Sequence, residues 1–203
     1  MSESELELFF RGLHPGALFA GRDLVARYDF SSYRALLDVG GGSGGLAIAV
    51  TEACPHLQAT IVDLPTVTPI TQRFVEEAST RNRLQVMTAD VVNESLTGSF
   101  DVVVMKAFTQ VLSPDQIRRL LANISEIVTP GGVIYILAHI LDNSRFSPSK
   151  TAVFNLIFLN IYDEGQAYTE REYQDWLMEA GFENFDRVIL PTGHSIVKAR
   201  KSE

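Results

Sequence analysis

The strongest indication of the fold is the stretch Leu36-Leu37-Asp38-Val39-Gly40-Gly41-Gly42-Ser43-Gly44-Gly45. It begins as an apolar run, and five of its last six residues are glycine. Glycines between a strand and a helix let the backbone adopt positive φ and let a ligand touch the main chain. The spacing Gly40-x-Gly42-x-x-Gly45 also matches the dinucleotide-binding fingerprint, although a tight turn alone would need some glycine. The stretch therefore predicts a strand, loop and helix that bind a nucleotide-like ligand.

Apolar runs alternate with helix-length segments along the rest of the chain. Continuous apolar strands that alternate with helices indicate a parallel sheet covered by helices on both faces. In the third helical segment the apolar residues recur at i, i+3, i+4 and i+7, which is typical of an amphipathic helix. The predicted strands are Ala35–Val39, Thr60–Val62, Leu84–Met87, Asp101–Met105 and Val133–Leu137, and the predicted helices are Gly45–Cys54, Thr66–Ala78 and Pro114–Val128.

The two ends of the chain depart from this alternation. Residues 3–29 predict one or two helices, broken near His14-Pro15-Gly16. After a predicted helix at Glu170–Ala180, strands at Arg187–Leu190 and Ser195–Ala199 are separated by a short turn, which makes them antiparallel. The sequence thus predicts a Rossmann-like α/β fold with a seven-stranded, mostly parallel sheet and an antiparallel edge. We expect residues 1–30 to be a helical lead-in and residues 31–203 to be one domain.

Composition restricts the partners. The chain has 203 residues, a formal net charge of −8 and no run of Lys and Arg, so nucleic acid is not an expected partner. The single cysteine, Cys54, excludes an internal disulfide and fits a reducing compartment such as the cytoplasm. No Cys and His cluster has metal-ligand spacing, so no metal is expected. The apolar stretch 152–162 is shorter than the roughly 20 residues that span a bilayer, so no membrane is expected either.

An acidic residue lies at the end of each of the first three predicted strands. Asp63 could accept hydrogen bonds from ribose hydroxyls, as the acid of the dinucleotide fold does. Asp90 could accept an adenine amine, and Asp38 could orient the loop amides or receive the ammonium of a bound amino acid. Singly, these residues could equally be caps or solvated turn residues. Together with the antiparallel final strands they favour S-adenosylmethionine, while an NAD-dependent oxidoreductase stays a less favoured alternative.

Five short motifs in this order resemble those of the plant-type small-molecule O-methyltransferases. That family includes the caffeate and acetylserotonin enzymes and bacterial polyketide and antibiotic methyltransferases. The glycine loop alone is shared with every class I methyltransferase, but the combined order and spacing are specific. The motifs are Leu37–Gly44, Asp63-Leu64-Pro65, Ala89-Asp90, Met105-Lys106 and Pro130-Gly131-Gly132.

The resemblance implies a cofactor and its contacts. The cofactor would be S-adenosylmethionine, and the acceptor would be a small apolar or aromatic secondary metabolite. Gly40 and Gly42 would lie against the methionine part, and Gly41 would also be a cofactor-binding residue. Asp63 would hold the ribose, Leu64 would lie beside the adenine, and Asp90 and Val91 would frame the adenine. Lys106 would lie near the cofactor, although a lysine at a strand end could also simply be solvated.

The chain departs from the family in the residues that move protons. The family pattern after the lysine is Lys-x-x-Leu-His-x-Trp, and its His removes the proton of the acceptor hydroxyl. Gln110 stands at that His position, and Ala167 replaces the carboxylate that orients the His. A Gln cannot take a proton near neutral pH, so we expect transfer by positioning. His139 and His194 are candidate substitute bases, and each could equally be a structural His.

A second departure concerns the N-terminal region. The family has a helical dimerisation domain of roughly a hundred residues that lines the acceptor pocket, whereas about 30 residues precede the first strand here. We expect either a fragment or a protein that manages without that domain, and a homodimer where the domain is present. A cofactor-binding module that does not methylate is the alternative. The apolar segment 154–162 is expected to be core or interface, or in part a wall of the acceptor pocket, and Trp176 is expected to be core.

Overall fold

The computed structural model describes residues 2–203 of the chain, which fold into six α-helices and seven β-strands. The strands match the predicted positions, with most of them one to several residues longer than predicted. In chain order the elements are α1 (Glu3–Arg27), β1 (Ala35–Val39), α2 (Gly45–Ala53), β2 (Gln58–Asp63), α3 (Thr68–Glu77), β3 (Leu84–Thr88), β4 (Phe100–Lys106), α4 (Pro114–Ile127), β5 (Val128–Ala138), α5 (Ser149–Ile161), α6 (Glu170–Glu179), β6 (Phe182–Ile189) and β7 (Ser195–Lys201).

The strands form a seven-stranded sheet in the order β3-β2-β1-β4-β5-β7-β6. β1 and β3 both pair with β2 in parallel, in a register that places Val39 beside Val62 and Asp63 beside Thr88. β7 pairs antiparallel with both β5 and β6. The predicted mostly parallel sheet with an antiparallel edge is confirmed.

The chain divides into two compact units. The first unit extends to Asp90 and includes Phe100–Val103, and the second contains Val91–Ser99 and Val104–Glu203. The division predicted at residue 30 stays a prediction.

In the first unit, α1 is one continuous helix, so the predicted break near Pro15 is wrong. The helix buries Ala17, Gly21 and Leu24. A Cβ on Gly21 would lie only 2.6 Å from the carbonyl oxygen of Leu46, so the backbones of α1 and α2 approach closely. A proline inside a helix removes one hydrogen bond, but tertiary packing of a helix face contributes more than local propensity does.

In the second unit, α4 begins at a capping box. The Ser113 hydroxyl accepts from the Gln116 backbone N–H, and the Gln116 side-chain oxygen accepts from the Ser113 backbone N–H. Its apolar residues are buried as the periodicity predicted. β5 starts at Val128, five residues before the predicted strand, and it includes Pro130 and Gly131, the latter with a φ of +73°. Trp176 is buried, as predicted.

The apolar segment predicted as core or interface forms α5, and most of it is not core. Only Thr151 and Phe158 of this helix are buried, and Phe158 packs with Leu141 and Ala167. Several large apolar residues on α5 are exposed, so this helix has apolar residues on all sides but a protein contact on only one. The exposed ones are Val153, Phe154, Leu156, Ile157, Leu159 and Ile161.

Two further properties concern residues 2–203 as a whole. No helix in this range combines the length and apolar character needed to cross a bilayer. The same residues contain no group of three or more His, Cys, Asp and Glu side chains placed to hold a metal ion. Cys54 is buried, and burial raises the pKa of its thiol.

Candidate functional site

The glycine loop links β1 to α2 through a turn held by backbone hydrogen bonds. The Gly40 N–H donates to the Val62 carbonyl at 2.8 Å, which ties the loop to the end of β2. Gly42 has a φ of +57°, a conformation that residues with a side chain rarely adopt. The glycine is therefore required by the backbone at this position, as the sequence predicted for the loop.

Asp63 lies at the end of β2, and its carboxylate is hydrogen-bonded to the glycine loop. Its Oδ2 accepts from the Gly42 N–H at 2.8 Å and its Oδ1 accepts from the Leu64 N–H at 2.8 Å. Burial raises the pKa of Asp63, and the two backbone hydrogen bonds act in the opposite direction. Each carboxylate oxygen has a further lone pair, so Asp63 can accept additional hydrogen bonds from a ligand.

Asp38 makes a contact of a different kind. Its side chain is 1% exposed, and its Oδ2 accepts from the Ala47 N–H at 3.3 Å in the first turn of α2. A carboxylate at a helix N-terminus satisfies free N–H groups and complements the helix dipole. Asp38 thus fastens β1 to α2, and its contact with a cofactor stays a prediction.

The third acid, Asp90, follows β3 near the end of β2. The Ala89 N–H donates to the Asp63 carbonyl at 3.1 Å, and this brings the two strand ends together. Among the predicted cofactor residues, Asp38, Gly40–Gly42, Asp63, Leu64 and Asp90 thus belong to the first unit, while Val91 and Lys106 belong to the second. The Val91 carbonyl accepts from the side-chain amide of Asn123 at 3.0 Å.

Three residues that the sequence interpretation missed also surround the loop. His14 of α1 places Nδ1 2.9 Å from the Ser43 hydroxyl, and the Thr71 hydroxyl donates to the Gly42 carbonyl at 2.5 Å. The Phe10 ring lies over Gly42, since a Cβ there would be 2.6 Å from ring carbon Cε1. The pattern near Pro15 suggested a turn, and no local signal in α1 or α3 indicates which residues meet the loop.

In the second unit, Gln110 stands where the resemblance places a base. Its side chain is 6% exposed, and Oε1 is buried without a hydrogen-bond partner. Ala167, at the position of the orienting carboxylate, is fully buried and its N–H donates to the Asn155 side chain at 2.6 Å. Ala107, next to Lys106, has a φ of +53°, an unusual conformation of the kind that clusters at functional sites.

The two candidate substitute bases lie against each other. His139 is 6% exposed, and its ring centroid lies 4.0 Å from that of His194 and 4.3 Å from that of Phe154. Burial, followed by the His194 charge, lowers the pKa of His139 to about 4. Burial and then the Lys106 charge lower the pKa of His194. Both imidazoles are therefore neutral at neutral pH.

Comparison with known proteins identifies the family. Residues 1–183 match the family described as the O-methyltransferase domain. A 3-hydroxy-5-methyl-1-naphthoate 3-O-methyltransferase of Streptomyces sahachiroi is 31% identical over 175 residues, which are 86% of this chain and 50% of that protein. The tetracenomycin polyketide synthesis 8-O-methyl transferase TcmO of Streptomyces glaucescens is 31% identical over 181 residues, 89% of this chain and 53% of that protein.

A solved structure agrees with these relatives. The human N-acetylserotonin methyltransferase, in complex with SAM, superposes with a TM-score of 0.87 at 26% identity, covering 100% of this chain and 57% of that one. The chain belongs to the O-methyltransferase domain family. It spans about half the length of the curated relatives it matches.

Proposed function

We propose that this chain binds S-adenosylmethionine and transfers its methyl group to a small aromatic or apolar acceptor of secondary metabolism. The observation that carries the proposal is the pair of hydrogen bonds that joins Asp63 to the Gly42 and Leu64 amides. They hold a carboxylate with spare lone pairs beside main chain that a ligand can approach. Family membership supports the same assignment.

The first unit fits an adenosyl group. Leu64 is 45% exposed next to Asp63, so an apolar surface for a flat base lies beside an acceptor for ribose hydroxyls. Asp90, at the adjacent strand end, can accept from an adenine amine. Gly40 and Gly41 are half-buried and carry no side chain, so main chain is accessible to the methionine part. Val91 and Lys106 are proposed as further cofactor contacts.

The chemistry follows from the activated sulfonium that S-adenosylmethionine supplies when bound. General-base assistance contributes roughly 10²–10⁴-fold in many enzymes, so transfer can proceed without it when the acceptor is oriented or is itself reactive. We propose that Gln110 contacts the acceptor by a hydrogen bond rather than as a base. His194 is the proposed proton acceptor for any acceptor that must lose a proton.

The names of the relatives support the proposed acceptor class. One is named for a hydroxynaphthoate and the other for a tetracenomycin polyketide, and both are named as O-methyltransferases. The acceptor is therefore proposed to be a small molecule. The single buried cysteine supports a reducing compartment such as the cytoplasm. A homodimer is proposed for the form of the protein that carries an N-terminal dimerisation domain.

The direct test is methyl transfer from isotope-labelled S-adenosylmethionine to a panel of naphthols, enols and amines, followed by mass spectrometry. We expect at least one acceptor to gain one labelled methyl group, and we expect the gain to be lost in Asp63→Ala. The matched control is Asp101→Ala, because Asp101 also accepts two backbone N–H groups, those of Arg34 and Ala35, at the opposite end of β1. Absence of transfer to every member of the panel would contradict the proposal.

A second candidate function is cofactor binding without methyl transfer. It is favoured by one observation, that neither Gln110 nor the buried Ala167 carries a titratable group where the resemblance places the His and its carboxylate. The same panel distinguishes the two functions, since this candidate predicts normal S-adenosylmethionine binding with no labelled product.

A further inference from the structure

One face of α1 changes its chemistry along the helix. Its residues recur three and four positions apart, a spacing that places side chains on the same side of a helix. Toward the C-terminal end this stripe is small and apolar, and Gly21 lies against the α2 backbone. Toward the N-terminal end it is acidic and then aromatic. The members of the stripe are Glu3, Glu7, Phe10, His14, Ala17, Gly21 and Leu24.

The N-terminal half of the stripe is held against α3. Arg73 of α3 forms ion pairs with Glu3 and Glu7 of α1. The His14 ring stacks on the Phe74 ring of α3, with the centroids 4.5 Å apart and an interplanar angle of 24°. Stacked rings of this kind have a defined geometry, so the contacts with α3 fix where the His14 imidazole lies.

The same imidazole reaches the glycine loop. Its Nδ1 lies 2.9 Å from Ser43 Oγ, and a Cβ on Gly45 would lie 3.1 Å from that Nδ1. Ser43 is 3% exposed and is the one residue of Gly40–Gly45 that carries a side chain. Burial lowers the pKa of His14, so its ring is neutral at neutral pH. A hydrogen bond between two neutral side chains therefore joins α1 to the loop.

This hydrogen bond belongs to a set that anchors the loop from three elements. The Gly40 N–H donates to the end of β2. Gly42 is hydrogen-bonded to Asp63 of β2 and to Thr71 of α3. Ser43 is anchored from α1. The apparent affinity for a ligand is reduced by the fraction of molecules that lack the binding conformation, so an anchor that favours this conformation raises affinity without touching the ligand.

We infer that His14 is a positioning residue of the cofactor site, which holds the glycine loop through Ser43 in the conformation that binds S-adenosylmethionine. The inference rests on the proposed function and adds a residue of α1 to its site. Phe10 supports this role, because its ring lies over Gly42 and limits movement of the loop toward α1. The role differs from that of Asp63, whose carboxylate has lone pairs for the ligand itself.

Calorimetric titration of S-adenosylmethionine against the full chain tests this role. His14→Leu and Ser43→Ala should each bind at least about threefold more weakly, since the net effect of one hydrogen bond corresponds to a factor of roughly 2 to 12. The double variant should bind no more weakly than the weaker single variant, because both changes remove the same bond. His14→Asn should bind within about twofold of wild type, because its amide offers a polar atom in place of Nδ1.

The matched control is His56→Leu, which should bind like wild type. His56 is an exposed histidine of the same unit whose Nε2 lies 3.2 Å from the Phe30 carbonyl oxygen, and it precedes β2 at the end opposite to Asp63. Amide hydrogen exchange without the cofactor measures the loop itself. Exchange of residues 40–45 should be at least about threefold faster in His14→Leu and in Ser43→Ala than in wild type or the control.

The two measurements separate failure of the inference from failure of the proposed function. Wild-type affinity in His14→Leu, losses that multiply in the double variant, or weak binding by His14→Asn would overturn the positioning role of His14. Unchanged exchange of the loop in His14→Leu would overturn it as well. If wild type does not bind S-adenosylmethionine, the proposed function is contradicted, and the exchange rates alone decide whether His14 positions the loop.

Discussion

At the scale of single residues, buried polar atoms carry the most information. The buried Asp63 carboxylate accepts hydrogen bonds from two backbone N–H groups. Gln110 Oε1 and His139 Nδ1 are buried without a hydrogen-bond partner. A buried polar atom of this kind costs roughly 1–3 kcal/mol of stability. We interpret this loss of stability as the cost of keeping polar atoms available to a ligand. Of the two residues, Gln110 stands at the position that the resemblance gives to the family base, and His139 is one of the two candidate substitute bases.

His139 makes the stability of the chain dependent on pH. Its pKa is about 4 in the folded chain and the ordinary value is 6.5, so the unfolded chain binds the proton more readily between these values. The contribution is complete above pH 6.5 and is lost as the pH falls toward 4. We expect wild type to lose about 2 kcal/mol more than His139→Phe between pH 7 and pH 4.5, as measured by urea unfolding. Parallel losses in both proteins would show that His139 is not buried in neutral form.

At the scale of elements, the contact between α1 and α2 depends on the absence of a side chain at Gly21. A Cβ there would meet the Leu46 carbonyl oxygen at 2.6 Å and the Ala49 Cβ at 2.9 Å. These are backbone and short side-chain atoms that cannot rotate away. Phe10 and His14, which lie on the same helix, reach the glycine loop. Correct seating of α1 on α2 thus supports the candidate cofactor site.

Gly21→Ala should therefore destabilise the chain although alanine is the better helix former. Overpacking of this kind costs about 1–3 kcal/mol. Gly12→Ala is the matched control, because a Cβ at Gly12 meets nothing within 4 Å, and it should stabilise by up to about 1 kcal/mol. Urea unfolding of both variants measures the difference. Equal or greater stability of Gly21→Ala relative to wild type would disprove the close approach.

The sequence predicted where the helices and strands lie better than it predicted which of them pack against each other. β1 was predicted at its observed bounds, and Asp63 was predicted at the strand end where it is observed, because apolar runs and strand-end acids are local signals. The continuity of α1 through Pro15 could not be predicted, since it depends on packing against α2. The exposure of α5 could not be predicted either, because an apolar composition does not tell which protein surface covers a helix.

At the scale of the whole molecule, the chain spans about half the length of its relatives. The exposed residues of α5 include Phe154, whose ring stacks on His139. An exposed apolar helix face of this kind is suited to contact a hydrophobic partner. Binding of the cofactor tests the residues of the glycine loop and Asp63 directly, without reference to the acceptor.

The most direct measurement is calorimetric titration of S-adenosylmethionine against wild type, Asp63→Ala and Asp101→Ala. We expect saturable binding to wild type and at least about tenfold weaker binding to Asp63→Ala, because the ribose and the loop lose the same carboxylate. Asp101→Ala should bind like wild type, since its carboxylate serves the opposite end of β1. Equal affinity of wild type and Asp63→Ala, or no binding to wild type, would contradict the account.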